Sequence, residues 1–269
     1  MSQRPDYDAS LLETALTAAQ QAGELIRKHY RGPDQFKTKP DQSVVTEADT
    51  EAEQLIRDLI QQRHPKHGFV GEEGGPAEAS SGFVWIVDPI DGTKNFLRGI
   101  PLYAVEIALL KDGIPYLGVS NLPAMQTMVW AVRGKGAYSQ SGRLSVSKVQ
   151  SLRNAYVSFG NLKHFSRKGL LEDLIRLTTA AFQSRGIGDA WSFHLLADGK
   201  IDVFVDASTA LWDIAALTVI VEEAGGRVSD LYGQPIGLGS TTVIATNNFL
   251  HTAVLECFQT TSNERLNKS

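Results

Sequence analysis

The stretch Trp85-Ile86-Val87-Asp88-Pro89-Ile90-Asp91-Gly92-Thr93-Lys94-Asn95-Phe96 decides how the rest of the chain is read. An apolar strand runs into Asp88, turns through Pro89 and Gly92, and leads into a helix expected to start near Thr93. Asp88 and Asp91 stand three residues apart across that turn. Both carboxylates can therefore converge on one point, and the turn frees the Ile90 carbonyl to join them. Carboxylates, a backbone carbonyl and water are the oxygen ligands that Mg²⁺ prefers. The N–H groups of Gly92 and Thr93, at the expected helix start, offer donors to an anion beside the metal. An isolated Asp-x-x-Asp is more often an acidic surface turn, because Asp-Pro and Asp-Gly are common turn formers. The strand before this one and the helix after it favour a site.

Two further carboxylate stations have similar settings. Gly71-Glu72-Glu73-Gly74 follows the short apolar run Phe69-Val70, and Trp212-Asp213-Ile214-Ala215-Ala216 opens an apolar helix that ends at Glu222-Glu223-Ala224-Gly225-Gly226. Alone, Glu72 and Glu73 read as solvated loop charges and Asp213 as an N-cap.

Outward from these stations, apolar residues recur at helical spacing over Leu11 to Tyr30 and over Val44 to Arg63, and Thr46 with Asp49 forms a Thr-x-x-acid capping signature. Strands are expected at Phe69–Val70, Phe83–Val87, Tyr103–Leu110, Tyr116–Asn121 and Thr127–Val132, with a hairpin at Asp112-Gly113. From about residue 152 strands and helices alternate: strands near Tyr156–Phe159, Phe182–Arg185, Asp202–Val205 and Thr242–Thr246, and helices over Ser166–Thr179, Asp189–Asp198, Asp213–Ala224 and Asn247–Phe258. The pattern predicts an α+β half over residues 1–150 carrying most of these carboxylates, then an α/β half over 151–269 carrying Asp213, the two packed together.

Composition narrows the function classes. The 269 residues carry a formal net charge of -4, which provides no basic field for nucleic acid. No apolar run is long enough to span a membrane. The first eight residues lack the pattern of a signal peptide, so the expected compartment is the reducing cytoplasm. The single cysteine, Cys257, rules out an intramolecular disulfide and a cysteine-based zinc cluster, and reads as a small buried residue. The six histidines show no metal-ligand spacing. No Gly-x-Ser-x-Gly elbow supports a serine nucleophile, and no phosphate-binding loop with a lysine is present.

Gly-Glu-Glu at 71–73, Asp-Pro-Ile-Asp-Gly-Thr at 88–93 and Trp-Asp-Ile-Ala-Ala at 212–216 resemble the three signatures of the inositol monophosphatase family, and Val45-Thr46-Glu47-Ala48-Asp49 and Glu223-Ala224-Gly225-Gly226 fit it too. The resemblance covers roughly residues 10 to 258. It implies a five-layered αβαβα sandwich, usually a homodimer, that hydrolyses phosphate monoesters with two or three Mg²⁺ ions and is inhibited by Li⁺. Carried over, Glu72, Asp88 and the Ile90 carbonyl hold a first metal. Asp88, Asp91 and Asp213 hold a second, and a weaker third rests mainly on Glu72 and water. Asp49 and Thr93 form the pair that orients the attacking water, and Gly92 and Thr93 donate to phosphate. Lys39, with Lys37 as its adjacent rival, matches a family lysine near the metals.

Substrate choice is expected from the second half. Asp206, seven residues before Asp213, matches a family position that contacts the organic part of the substrate. Gly188-Asp189 followed by Trp191 resembles the branch that dephosphorylates histidinol phosphate in histidine biosynthesis. Asp189 and Asp206 can accept hydrogen bonds from an ammonium or imidazole, and Trp191 can stack on the ring. The bland alternative makes Asp189 an N-cap and Trp191 a core residue. Other readings are an inositol or broad-specificity sugar-phosphate phosphatase and, more remotely, a non-catalytic regulatory protein of the same fold. No expected ligand is missing for the last of these to be favoured.

Overall fold

The computed structural model describes residues 7–30, 36–38, 44–77, 80–237 and 239–266. In chain order its elements are α1 (Tyr7–His29), β1 (Phe36–Thr38), β2 (Val44–Thr46), α2 (Glu47–Arg63), β3 (Gly68–Gly71), β4 (Gly75–Ala77), β5 (Phe83–Asp91), α3 (Thr93–Leu97), β6 (Ala104–Lys111), β7 (Ile114–Leu122), β8 (Thr127–Val132), β9 (Gly136–Ser139) and β10 (Gly142–Arg143). There follow β11 (Tyr156–Phe159), α4 (Leu162–Arg167), α5 (Leu171–Ala180), β12 (Gln183–Arg185), α6 (Asp189–Ala197), β13 (Val203–Asp206), α7 (Leu211–Glu223), β14 (Arg227–Ser229), β15 (Val243–Thr246) and α8 (His251–Leu266).

A strand that carries apolar residues at consecutive positions must be covered on both faces. In β5 every residue from Trp85 to Ile90 is buried, and in β6 every residue from Ala104 to Leu110. These two strands lie inside an eight-stranded sheet of order β10-β9-β8-β7-β6-β5-β3-β4, in which β3 runs parallel to β5 and the other neighbours are antiparallel. Helices α1 and α2 cover one face through Leu11, Ala15, Ala22, Ile26, Ile56 and Ile60. The opposite face meets α6 and α7, which also pack on a second sheet of order β12-β11-β13-β15-β14. The far face of that sheet is closed by α4, α5 and α8 through Phe165, Leu174, Leu177, Val254 and Phe258. The result is the five-layered αβαβα sandwich.

The middle layer explains the composition of α7. A helix apolar on one stripe belongs at a surface, and one apolar all round belongs inside. Leu211 and every residue from Ile214 to Val221 are buried. The helix sits close on the large sheet because position 118 in β7 is glycine: a β-carbon there would fall onto the backbone carbonyl of Ala216.

Some elements differ from the sequence reading. Val44–Thr46 is a strand that pairs with β1, and the helix begins only at Glu47. The β-branched pair before Thr46 favours extended backbone, and the Thr46–Asp49 capping box fixes where the helix can start. The expected helix over 166–179 is two helices, α4 and α5, separated at Gly169, whose φ of +67° suits glycine. The last helix starts at His251 rather than Asn247, and the short strands β4, β9, β10 and β14 were not anticipated. The hairpin at Asp112-Gly113 is present, both residues having positive φ. Cys257 is buried. Among the described residues no helix is long and apolar enough to cross a membrane.

Replacing Gly118 with alanine must push α7 off the large sheet. We expect Gly118→Ala to lower the unfolding free energy by about 3 kcal/mol, read from urea titration, because overpacking of a close backbone approach cannot relax locally.

Candidate active site

Strand β5 delivers Asp88 and then breaks its ladder: the pairing with β6 shifts between Asp88 and Asp91. The irregularity brings both carboxylates to the strand's carboxyl end. Gly92 makes the following turn with a φ of +84°, and a β-carbon there would lie 2.8 Å from the Leu102 carbonyl oxygen. The helix α3 that follows is only five residues long.

Glu72, Asp88, Ile90, Asp91, Gly92, Thr93, Asp189, Asp206 and Asp213 all line one open cavity of about 480 Å³, together with Lys94, Asn95, Phe159 and His164. The residues predicted from three separated stretches therefore share one site. Asp49 stands behind it. Its Oδ2 accepts the Thr46 N–H at 2.8 Å, and the Thr93 hydroxyl is 3.5 Å from its Oδ1 and 3.0 Å from the Ile90 carbonyl oxygen.

Five of these acidic side chains accept a hydrogen bond from a positioned donor. Asp88 Oδ1 accepts the Ile90 N–H at 2.9 Å, Asp91 Oδ2 accepts the Ala190 N–H of α6 at 3.0 Å, and Asp213 Oδ2 accepts the Ala210 N–H at 2.7 Å. Asp189 Oδ2 accepts from the Asn95 amide at 3.1 Å, and Asp206 Oδ1 from the Ser208 N–H at 3.0 Å. These donors do not offset burial and mutual repulsion. Burial first, then Glu72, Asp91 and Asp213, holds Asp88 well above the usual carboxylate range. Asp91 is raised by burial and then by Asp189 and Asp213. Burial pushes Asp49 up to about 6, and Asp206 and Asp213 up to about 7.

The donor set fits a divalent cation. It consists of hard carboxylate oxygens with one backbone carbonyl, the chemistry that Mg²⁺ selects, and a cation would relieve the repulsion that raises these groups. Among the described residues no three acidic, histidine or cysteine side chains are drawn closely enough together to grip one ion.

Not every expected residue reaches the cavity. Lys39 lies outside the described residues. Lys37 is on β1, but its side chain is not among those described. Trp191 points elsewhere. It is half-buried against the middle-layer core and lines a separate cavity of about 290 Å³ with His194 and Leu195. One residue earlier, Ala190 spends its N–H on Asp91, and the helical rotation between the two positions carries the indole away from the carboxylates.

The sequence reading missed Glu53 and Arg57. Glu53, buried in α2, accepts the N–H of Glu73 at 2.8 Å on one oxygen and that of Gly74 at 2.8 Å on the other. Arg57 Nη2 bonds the same carboxylate at 3.1 Å and the Gly75 carbonyl at 3.2 Å, and its guanidinium lies 4.2 Å from the centre of the Phe69 ring. A β-carbon at position 71 would collide with the Glu53 carboxylate, so glycine there is required. This clamp fixes the turn that carries Glu72. Its sequence signal was only an i,i+4 acid–base pair, which usually marks a solvated face. Behind Asp88 a second buried network was also missed. Ser120 donates to Glu106 at 2.5 Å and lies 2.6 Å from His194 Nε2, and burial pushes that imidazole down to about 3, so it stays neutral.

Comparison with known proteins follows the same lines. The model of the Inositol monophosphatase family matches residues 8–263. The chain belongs to the inositol monophosphatase family. The histidinol-phosphatase of Mycobacterium tuberculosis is 43% identical over 250 residues, covering 91% of this chain and 96% of that one. The histidinol-phosphatase of Streptomyces coelicolor is 37% identical over 262 residues, covering 93% and 97%. Among solved structures, the Thermotoga maritima IMPase superposes with a TM-score of 0.85 at 31% identity, covering 94% of this chain and 98% of that one. As a family member the chain is a phosphoric monoester hydrolase, and inositol monophosphatases are generally metal-dependent.

Glu53→Ala should free the turn that carries Glu72 and leave the half-buried Arg57 without its carboxylate partner. We expect a loss of about 3 kcal/mol in stability by urea titration and a fall in phosphatase activity larger than the fraction unfolded explains.

Proposed function

We propose that this phosphatase is Mg²⁺-dependent and that its substrate is histidinol phosphate, which it converts to histidinol and inorganic phosphate. The observation that supports this most is the shared cavity. Four carboxylates of the expected metal set, Glu72, Asp88, Asp91 and Asp213, line it beside two more, Asp189 and Asp206. The first four account for metals and phosphate. The other two are free to meet a cationic organic group, which a polyol does not have. The two relatives named histidinol-phosphatase support the same substrate.

In this reading Glu72, Asp88, Asp91, Asp213 and the Ile90 carbonyl would hold two or three Mg²⁺ ions. Bound there, the ions would supply Lewis acidity, a lowered pKa for water and charge neutralisation. The chain's own residues do the rest. The Thr93 hydroxyl, between Asp49 and the Ile90 carbonyl, offers an oxygen that can hold and orient the attacking water, with Asp49 as proton partner. The backbone of Gly92 and Thr93 faces the phosphate. Asp206, with its proton affinity near neutrality, becomes a full anion when a cationic substrate sits against it. Such a reaction is chiefly positioning and electrostatics.

A second reading, inositol 1-phosphate as substrate, is favoured by the 34% identity to the inositol-1-monophosphatase of Mesorhizobium japonicum over 92% of this chain. Steady-state kcat/KM on the two esters separates them: a tenfold or greater preference for inositol 1-phosphate removes histidinol phosphate. Family likeness also implies a homodimer, which sedimentation velocity measures directly.

Chelation by EDTA should abolish activity, Mg²⁺ restore it, and Li⁺ inhibit it. Asp91→Asn should abolish activity at saturating Mg²⁺ while the far-UV spectrum is unchanged, because the amide oxygen can still accept the Ala190 N–H. Retained activity would show that Asp91 is not a ligand.

A further inference from the structure

Phe159 ends β11 and His164 lies one turn along in α4, and both line the 480 Å³ cavity. Among the described residues they are the ring-bearing side chains that do so. Both are half-buried. Three contacts fix this wall. The Phe159 backbone pairs with Val205 of β13, next to Asp206. The edge of the Phe159 ring is 3.1 Å from where a β-carbon of Gly186 would sit, so glycine at 186 leaves room for the ring. A β-carbon at Gly160 would fall on the Asp206 carboxylate, so that carboxylate lies directly over the backbone between the two rings.

His164 Nδ1 is buried, has no hydrogen bond among the described residues, and faces Asp206 Oδ1 at 3.7 Å. Burial, then Lys94, Arg167, Lys168 and Lys163, holds this imidazole below its ordinary pKa, which favours the neutral ring beside a cationic group.

We propose that Phe159 and His164, flanking Asp206, form the subsite that selects an imidazole-bearing, cationic organic group over a polyol. The inference rests on the reading of the enzyme as a histidinol-phosphate phosphatase and assigns the stacking role to Phe159, where the sequence pointed to Trp191. A flat heteroaromatic ring gains contact with the Phe159 face and the His164 imidazole, and its N–H groups find Asp206. A cyclitol would lay hydroxyls against the same face and lose their bonds to water.

The test measures kcat and KM of the Mg²⁺-loaded enzyme on histidinol phosphate, inositol 1-phosphate and glycerol 2-phosphate, with free histidinol as a competitive inhibitor. In Phe159→Leu and His164→Ala we expect kcat/KM on histidinol phosphate to fall about tenfold or more beyond any loss on glycerol 2-phosphate, mostly through KM. The inhibition constant of histidinol should rise in step. Phe159→Tyr, which keeps the ring, should retain the preference, whereas a merely structural role would affect all three esters alike. Equal losses on all substrates, or an unmoved ratio, overturn the subsite while wild-type preference for histidinol phosphate keeps the substrate reading. Wild-type preference for inositol 1-phosphate overturns both.

Discussion

Everything in this molecule is arranged around a repulsion. Asp88, Asp91, Asp189, Asp206 and Asp213 are brought to one cavity, all but the more exposed Asp189 buried or half-buried, and their mutual repulsion helps hold Asp88, Asp91 and Asp213 above the usual carboxylate range. Left to itself, such a cluster would splay into solvent or lose its charge. It is held because Asp88, Asp206 and Asp213 are pinned by backbone N–H groups of their own turns, while Asp91 and Asp189 are tied across the cavity to other elements. The Asp91–Ala190 bond is the plainest case, because it ties β5 of the large sheet to α6 of the middle layer across the cavity.

The five layers make this possible. Asp88 and Asp91 come from the sheet, Asp213 from the first turn of α7, Asp189 from the start of α6, and Asp206 from the end of β13 in the second sheet. Helices α6 and α7 lie between the sheets and pack on both. A site at the junction of three rigid layers keeps its geometry against its own electrostatics, at the expense of the buried, charged interior that a purely stable protein would avoid. Buried support behind the front row serves the same end: Glu53 with Arg57 under the Glu72 turn, and Glu106, Ser120 and His194 behind Asp88. Division of labour follows. In the proposed reading the large sheet and α7 supply the groups for phosphate chemistry, and the second sheet with α4 and α6 supplies the wall that meets the organic group.

The strand–turn–helix around Asp88 and Asp91 was legible in the sequence, as were the central apolar strands, the apolar α7, the capping box of α2 and the three carboxylate stations. These are local facts. A turn needs glycine, a strand between two layers needs consecutive apolar residues, and a cap needs its side chain three residues from the donor. The family signatures added the layer order, and with it the ligand set on which the proposed function draws.

Facing across the chain was decided only in three dimensions. Trp191 and Phe159 are both aromatic residues near carboxylates in the sequence, but the rotation of α6 turns one into the core while the end of β11 presents the other to the cavity. Glu53 and Arg57 looked like a surface pair until the turn after β3 folded onto them. The sequence by itself determined which residues can do chemistry and which elements carry them, because propensity, capping and periodicity act within a few residues. Tertiary structure decided which side chains meet, because that depends on how strands and helices far apart in the chain pack to bury their apolar faces.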